Sequence, residues 1–109
     1  MKIEEAQNFI KKFAIENNWD DTPNIDKFDH LHEELIEMSK LLRYKDKETI
    51  VKTIGDHKDL FEDGIGDLLF GSLRLANQLN VDAQEAFNKV KDKITQRYKN
   101  KKESEGYQK

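Results

Sequence analysis

Cysteine is absent from this chain of 109 residues, and its absence excludes disulfide bonds and thiolate zinc sites. A chain without cysteine suits a reducing compartment, so we expect a cytoplasmic protein. Long hydrophobic runs are missing too, since no apolar stretch approaches the roughly 18 residues that a membrane span needs. The opening residues, Met1 to Glu5, lack the apolar segment of a signal peptide. We therefore expect no membrane partner.

An excess of positive charge is also missing. The formal net charge is −3, which argues against a surface built to bind nucleic acid. Apolar residues make up 36% of the chain and charged residues 38%, which is typical of a globular domain with many solvated faces. A chain of this length can build one modest core and not two. We expect one domain over residues 1–99 and a flexible tail over residues 100–109, where no periodicity is visible.

Apolar residues recur every three or four positions along most of the chain, which predicts helices rather than strands. Four main helices and one short connector helix are expected, and their approximate ranges are 4–17, 24–43, 49–54, 57–79 and 83–98. Their lengths favour an all-α helical bundle. Apolar positions on more than one side of the helices further predict a homodimer or a homotetramer.

Several residues are expected to mark the ends of these helices. Thr22 can cap the second helix, with Pro23 at its first position. Asp56 is the expected N-cap of the helix that follows the connector. Asn80 can adopt the left-handed conformation that ends that helix, and Asp82 can cap the last one.

Two carboxylates share one narrow stripe of the second predicted helix. Glu34 and Glu37 lie about 60° apart around the helix axis, and His30 falls on the same stripe. The stripe borders an apolar seam that is formed by Phe28, Leu31, Leu35, Met38 and Leu42. The acids are therefore expected at the rim of a helix–helix interface rather than in open water.

A second pair of acids lies on the helix predicted over residues 57–79. Asp63 and Asp67 share a face about 40° wide, which also carries Phe70 and Arg74. Two facing helices that each offer a carboxylate pair make a site for a hard cation, Mg²⁺ or Mn²⁺.

Two glycines lie between this acid face and the apolar side of the same helix. They are Gly64 and Gly71. Because glycine destabilises a helix by roughly 1 kcal/mol relative to alanine, both positions indicate the close approach of a neighbour or a ligand.

Several other side chains allow more than one interpretation. Trp19 is either a core anchor with one wet edge or a ring on which a nucleobase stacks. His30 orients a neighbouring carboxylate, touches a substrate, or does neither. The basic residues of the last helix form a solvated face that suits a helix C-terminus, or they contact phosphate; the candidates are Lys89, Lys93 and Arg97.

Three motifs follow one another along the chain: Glu33-Glu34-x-x-Glu37, then Gly66-Asp67-Leu68-Leu69, then L-A-N-Q-L-N-V-D over residues 75–82. In this order, and after an N-terminal helix that ends near a tryptophan, they resemble the MazG-like, all-α nucleoside triphosphate pyrophosphatases over residues 9–98. The resemblance implies a helical bundle, often a dimer or tetramer. It also implies hydrolysis of a nucleoside triphosphate between the α and β phosphates, which gives the monophosphate and pyrophosphate.

The resemblance implies three metal ligands by position: Glu34, Glu37 and Asp67. The family pattern is broken at position 64, where Gly64 stands in place of a glutamate. Asp63 is the expected substitute, and Glu62 is the weaker candidate. The alternative is that Gly64 marks a lost ligand. A glutamate introduced there would then restore the site, and helix propensity alone predicts a slight gain in stability.

The chemistry of such a site follows from charge. A triphosphate carries roughly three to four negative charges, so carboxylates repel it unless divalent cations bind first. Mg²⁺ would position the phosphates, polarise phosphorus and lower the pKa of the attacking water. Glu33 or Glu37 could take the proton of that water. Charge on the leaving pyrophosphate could be offset by Lys89, Lys93 or Arg97. The other candidate substrate-binding residues are Trp19, His30 and Arg74.

A rival hypothesis is a non-catalytic, oligomeric interaction protein whose acids form only solvated helix faces. It explains the charge and the helices, but not why acids border the apolar seam on two separate helices. Titration with Mg²⁺ separates the two hypotheses, because a solvated face binds Mg²⁺ negligibly. The preferred base and sugar cannot be read from the sequence.

Overall fold

The computed structural model describes residues 1–104, and these form five α-helices without a strand. The helices are α1 (Ile3–Glu16), α2 (Asp26–Ser39), α3 (Lys47–Asp56), α4 (Lys58–Gln78) and α5 (Ala83–Ser104). The predicted all-α class is confirmed, as is the order of four longer helices with one shorter helix between them. Among these residues, no helix is both long and apolar enough to cross a bilayer.

Helix α4 is the centre of the fold. Both α2 and α1 pack along it, α3 touches it, and α5 packs on α1. Leu31 lies beside Gly71, and Met38 lies beside Gly64, so α2 and α4 run antiparallel. A Cβ atom added at Gly64 would lie 2.5 Å from Met38 Sδ, and one at Gly71 would lie 2.7 Å from Leu31 Cδ2. The expected close approach at both glycines is confirmed, and the neighbour is α2.

The predicted start of α2 is wrong by two residues, and its predicted end by four. Thr22 and Pro23 lie in the loop, because local hydrogen bonds shape the chain before the helix begins. Asp20 Oδ1 accepts a bond from the Thr22 backbone N–H at 2.9 Å, and Asn24 Oδ1 accepts one from the Asp26 N–H at 2.8 Å. Beyond Ser39, turns lead to Tyr44, whose left-handed φ of 64° stops any helix.

The connector is longer than predicted. Helix α3 makes almost three turns because Asp46 caps it, its Oδ1 accepting from the Thr49 N–H at 2.8 Å. Asp56 does not cap α4 as expected. It ends α3 and pairs with Lys52 at 2.7 Å, while the N-cap position of α4 is His57.

The turn between α4 and α5 follows the prediction. Asn80 has a left-handed φ of 55°, and Asp82 Oδ1 accepts from the Glu85 N–H at 3.0 Å. Helix α5 continues through Ser104, past the start of the predicted tail, because its polar residues are compatible with a solvated helix. The rest of the predicted tail, residues 105–109, lies outside the described residues.

The single chain buries little. Among the described hydrophobic side chains, only those of Ile10, Ala14 and Met38 are buried. The accessible surface is 8825 Å², whereas a compact monomer of this mass exposes roughly 6,300 Å². Phe87, Val90 and Ile94, which lie on one stripe of α5, are each at least half exposed. Much apolar helix surface is therefore left uncovered.

Candidate active site

A cavity of about 300 Å³ lies where α2 crosses α4. We call it the acid cavity, and its lining residues are Lys27, His30, Leu31, Glu34, Asp67, Phe70 and Gly71. Leu31 and Gly71 form the packed helix contact beneath it. Glu34 comes from α2 and Asp67 from α4, so the two acid motifs of the sequence meet in one cavity, as the periodicity predicted.

Several carboxylates lie close enough to Glu34 to repel its negative charge. Partial burial raises the pKa of Glu34, and the carboxylates of Asp67, Glu37 and Glu33 raise it further, while His30 opposes the shift. No hydrogen bond or salt bridge within residues 1–104 engages Glu34, Glu37 or Asp67. The protein brings these acids together without neutralising them, so a cation would stabilise their ionised forms.

The donor atoms suit a hard divalent cation. Carboxylate oxygens are the protein ligands that Mg²⁺ and Mn²⁺ prefer, and Mg²⁺ completes its shell with water and phosphate oxygens. Within residues 1–104, no three side chains of His, Asp or Glu already converge on one point at metal-binding distance. Binding of one ion by Glu34, Glu37 and Asp67 would therefore require side-chain rotation, which their exposed or half-exposed positions allow.

The residues at positions 62–64, just before Asp67, differ in exposure. Glu62 and Asp63 are exposed and do not line the acid cavity. Gly64 is buried beneath Met38. Helix propensity alone predicts that a glutamate here stabilises the helix, but propensity takes no account of α2, whose Met38 side chain lies in the space that a Cβ atom would enter.

A second cavity of about 500 Å³ adjoins the first. We call it the tryptophan cavity, and it is lined by Asn18, Trp19, Asp20, Asn24, Asp26, Lys27, His30, Arg74 and Gln78. Lys27 and His30 line both cavities. The cavity that contains the acids and the cavity that contains Trp19 thus share two lining residues, Lys27 and His30.

Trp19 is packed on one side and exposed on the other, and its base-stacking role stays a prediction. Its ring makes edge contacts with Phe13, at 5.2 Å between centroids, and with Phe70, at 6.4 Å, which anchors it between α1 and α4. It is still 36% exposed at the wall of the tryptophan cavity. The Arg74 guanidinium lies 4.4 Å from the ring centroid, and its Nε donates to Asp21 Oδ1 at 3.0 Å. The ring is therefore held in place, with a cation over it.

The basic residues of α5 lie elsewhere in the single chain. Lys89, Lys93 and Arg97 are exposed and line neither cavity. Lys89 pairs with Glu85 at 3.1 Å on the helix surface. Glu33 is exposed on α2 outside the acid cavity, although its charge acts on Glu34. The predicted phosphate contacts of α5 stay predictions.

Lys27 and Gln78 are two of the cavity residues that the sequence did not single out. Lys27 lies one turn before His30 on the acid stripe, so extending the stripe by one turn would have found it. Partial burial lowers the pKa of Lys27, repulsion by Arg74 lowers it further, and Asp21 opposes the shift. Gln78 gave no signal, because it shares the tryptophan cavity with residues of the loop between α1 and α2, which are distant from it in sequence.

Comparison with known proteins agrees with this geometry. A family model described as the MazG nucleotide pyrophosphohydrolase domain matches residues 24–101, which is more than half of the chain. No curated protein and no solved structure is significantly similar to the chain. The matched range contains the acids of both motifs and all but three of the residues that line the tryptophan cavity. On the strength of this match, the chain belongs to the MazG nucleotide pyrophosphohydrolase domain family.

Proposed function

We propose that the protein is a Mg²⁺-dependent nucleoside triphosphate pyrophosphohydrolase. It would cleave its substrate between the α and β phosphates and release the monophosphate and pyrophosphate, with Mn²⁺ as an alternative ion. One observation carries the proposal: Glu34 and Asp67 line a cavity that shares two lining residues, Lys27 and His30, with a larger cavity lined by Trp19. A nucleoside triphosphate has the matching order of groups, with a polyanion at one end and an aromatic base at the other.

The residues of the proposed site are assigned roles according to their positions around the two cavities. Glu34, Glu37 and Asp67 would hold Mg²⁺, whereas Asp63, the predicted fourth ligand, lies outside the acid cavity and is tested by substitution. When bound, the ion would neutralise phosphate charge and activate a water molecule. Glu33 or Glu37 is the candidate base that accepts the proton. Lys27 and His30, which line both cavities, would contact the phosphates nearest the sugar, and Trp19 and Arg74 would contact the nucleoside.

The test is a panel of canonical and modified nucleoside triphosphates with Mg²⁺. Cleavage between the α and β phosphates should release pyrophosphate and the monophosphate in equal amounts, and EDTA should stop the reaction. Release of orthophosphate and a diphosphate would mean that the bond broken is a different one. No release from any triphosphate would leave the proposal without support.

A second candidate is a non-catalytic helical binding protein with a degenerate metal site. It is favoured by Gly64, which replaces a family glutamate, and by the lack of a preformed three-ligand cluster within residues 1–104. Calorimetric titration with Mg²⁺ separates the two candidates. An enzyme with the proposed site binds the ion through Glu34 and Asp67, whereas the second candidate predicts no saturable binding.

Asp63→Asn decides whether that residue is a metal ligand. Asp67 lines the acid cavity and Asp63 does not, so we expect Asp63→Asn to reduce the rate of pyrophosphate release much less than Asp67→Asn. Rates for both single variants and the double variant should be measured under the same conditions. Equal losses, with strong non-additivity in the double variant, would show instead that both acids hold one metal cluster.

We also propose that the protein assembles as a homodimer or homotetramer. The accessible surface exceeds that of a compact monomer by an area typical of stable interfaces, and α5 leaves an apolar stripe uncovered. In such an assembly α5 of one copy could approach the acid cavity of another. This would bring Lys89, Lys93 and Arg97 to the phosphates, where the single chain does not place them.

Ile94→Lys should dissociate the assembly. Ile94 is 56% exposed in the single chain, so a lysine there costs the monomer little and opposes burial against a second copy. Sedimentation velocity should show a lower mass for Ile94→Lys than for the wild type, with helix content unchanged. Gln96→Lys introduces the same residue at an exposed position about 200° away around α5, serves as the control and should leave the mass unaltered. A wild type that sediments as a monomer would contradict the assembly.

A further inference from the structure

Gln78 has a buried amide without a partner. It lies in the last turn of α4 and is 8% exposed. Its Oε1 is shielded from solvent and has no hydrogen-bond partner in the described chain, where the side chain also makes no ion pair or ring contact. Buried polar atoms in folded proteins are nearly always paired, so an unpaired one requires an explanation. A ligand that pairs with the amide when it binds is one such explanation.

The surroundings of Gln78 indicate the kind of ligand. Gln78 lines the tryptophan cavity together with Trp19 and Arg74. The cavity volume of about 500 Å³ accommodates a nucleoside. A carboxamide presents one donor and one acceptor side by side, and a nucleobase edge presents the same pair in complementary order. The indole of Trp19 supplies a flat apolar surface for the ring of the base.

We propose that Gln78 determines base specificity: its free carboxamide pairs with the edge of the nucleobase that enters the tryptophan cavity. The proposal rests on the proposed function, since it assigns the base end of the same nucleotide site. It adds a selecting residue that lies outside the acid motifs and at the opposite end of the joined cavities.

Binding requires one side-chain movement. Solvent does not reach Gln78 Oε1 in the free chain, so something must move before a base can pair with it. Arg74 lies one turn before Gln78 on the same face of α4, and helical side chains lean toward the preceding turn. Its guanidinium is held by Asp21 and lies over Trp19. A base that stacks on Trp19 takes the place of this guanidinium and gains access to Gln78.

The experiment uses the fluorescence of Trp19, the single tryptophan of the chain. Wild type and Gln78→Met are titrated in Mg²⁺ with α,β-methylene analogues of ATP, GTP, CTP and UTP, which are not cleaved, and with inorganic tripolyphosphate as a probe without a base. Tripolyphosphate binding is followed by calorimetry. Gln96→Met, which removes a glutamine amide from the exposed face of α5, is the matched control.

Gln78→Met should bind its preferred nucleotide analogue about tenfold more weakly than the wild type, because a hydrogen bond to the base is lost. The differences among the four bases should shrink, tripolyphosphate binding should stay unchanged, and the melting temperature should not fall, because the unpaired acceptor is gone. Gln78→Glu provides a second measurement that keeps the side-chain size. Since a carboxylate only accepts, this variant should shift the preference toward guanine, whose edge carries adjacent N–H donors.

Three results would overturn the proposal, and they distinguish a failure of the Gln78 role from a failure of the proposed function. If both variants keep the affinity and base preference of a wild type that hydrolyses triphosphates, Gln78 does not select the base, and the proposed function stands. An equal loss of nucleotide and tripolyphosphate binding in Gln78→Met would show a structural role. A wild type that neither binds the analogues nor hydrolyses any triphosphate would remove the proposed function and this inference with it.

Discussion

Glu34→Gln is expected to reduce Mg²⁺-dependent pyrophosphate release by at least about 100-fold, because changes even in the partners of metal ligands cost 10–100-fold. Glu34 is the acid of α2 that lines the acid cavity, and it is surrounded by the charges of Asp67, Glu37 and Glu33. Glutamine keeps the shape of the side chain and removes its charge. The metal therefore loses a ligand while the helix stays intact. The measurements are the rate of pyrophosphate release and the affinity for Mn²⁺, with circular dichroism as the check on folding.

Glu48→Gln is the matched control for this prediction. Glu48 is an exposed glutamate in the first turn of α3 and lines neither cavity. The Glu48→Gln variant should therefore release pyrophosphate at the wild-type rate and bind Mn²⁺ with the wild-type affinity. Full activity in both Glu34→Gln and Asp67→Asn would place the catalytic acids elsewhere in the chain.

Gly64→Glu is expected to lower the free energy of unfolding by roughly 1–3 kcal/mol or more, which is the cost of overpacking a filled site. A Cβ atom at Gly64 would lie 2.5 Å from Met38 Sδ and 3.0 Å from Met38 Cγ, so α2 or the Met38 side chain must shift. The carboxylate would add the cost of burying a charge. Urea denaturation followed by circular dichroism measures the change.

Gly66→Glu introduces the same residue two positions further along α4, where nothing lies within 4 Å of an added Cβ atom. This control should be neutral or stabilising, because glutamate forms helices better than glycine by up to about 1 kcal/mol. Equal unfolding free energies for Gly64→Glu and Gly66→Glu would mean that α2 does not press on α4 at this point.

Helical periodicity was sufficient to predict that the acids meet. Glu34 and Asp67 each border an apolar seam, and packing two seams together necessarily brings their borders together. Gly64 and Gly71 could be predicted as points of close approach for the same reason: a helix tolerates the cost of glycine where a neighbour needs the space. These features depend only on the 3.6-residue repeat and on the composition of one helix face.

Other features depend on which of several possible local hydrogen bonds form, and the sequence alone does not show which are preferred. Thr22 and Pro23 form an acceptable helix start, but the side chains of Asp20 and Asn24 bind backbone N–H groups first and delay the helix to Asp26. Gln78 lines a cavity together with loop residues that are distant from it in sequence, such as Trp19 and Asn24. No local pattern contains that information.

The contacts of Gly64 with Met38 and of Gly71 with Leu31 also fix the register of the active site. The two glycines are two turns apart on α4, and their partners are two turns apart on α2. Sliding one helix along the other would break both contacts at once. Glu34 and Asp67 lie between these two contacts, so the separation of the acids is set by the packing beneath them. A substitution at either glycine should therefore change the affinity for metal even though it alters no proposed ligand. The distance between the two carboxylates is thus determined by the packing of α2 against α4.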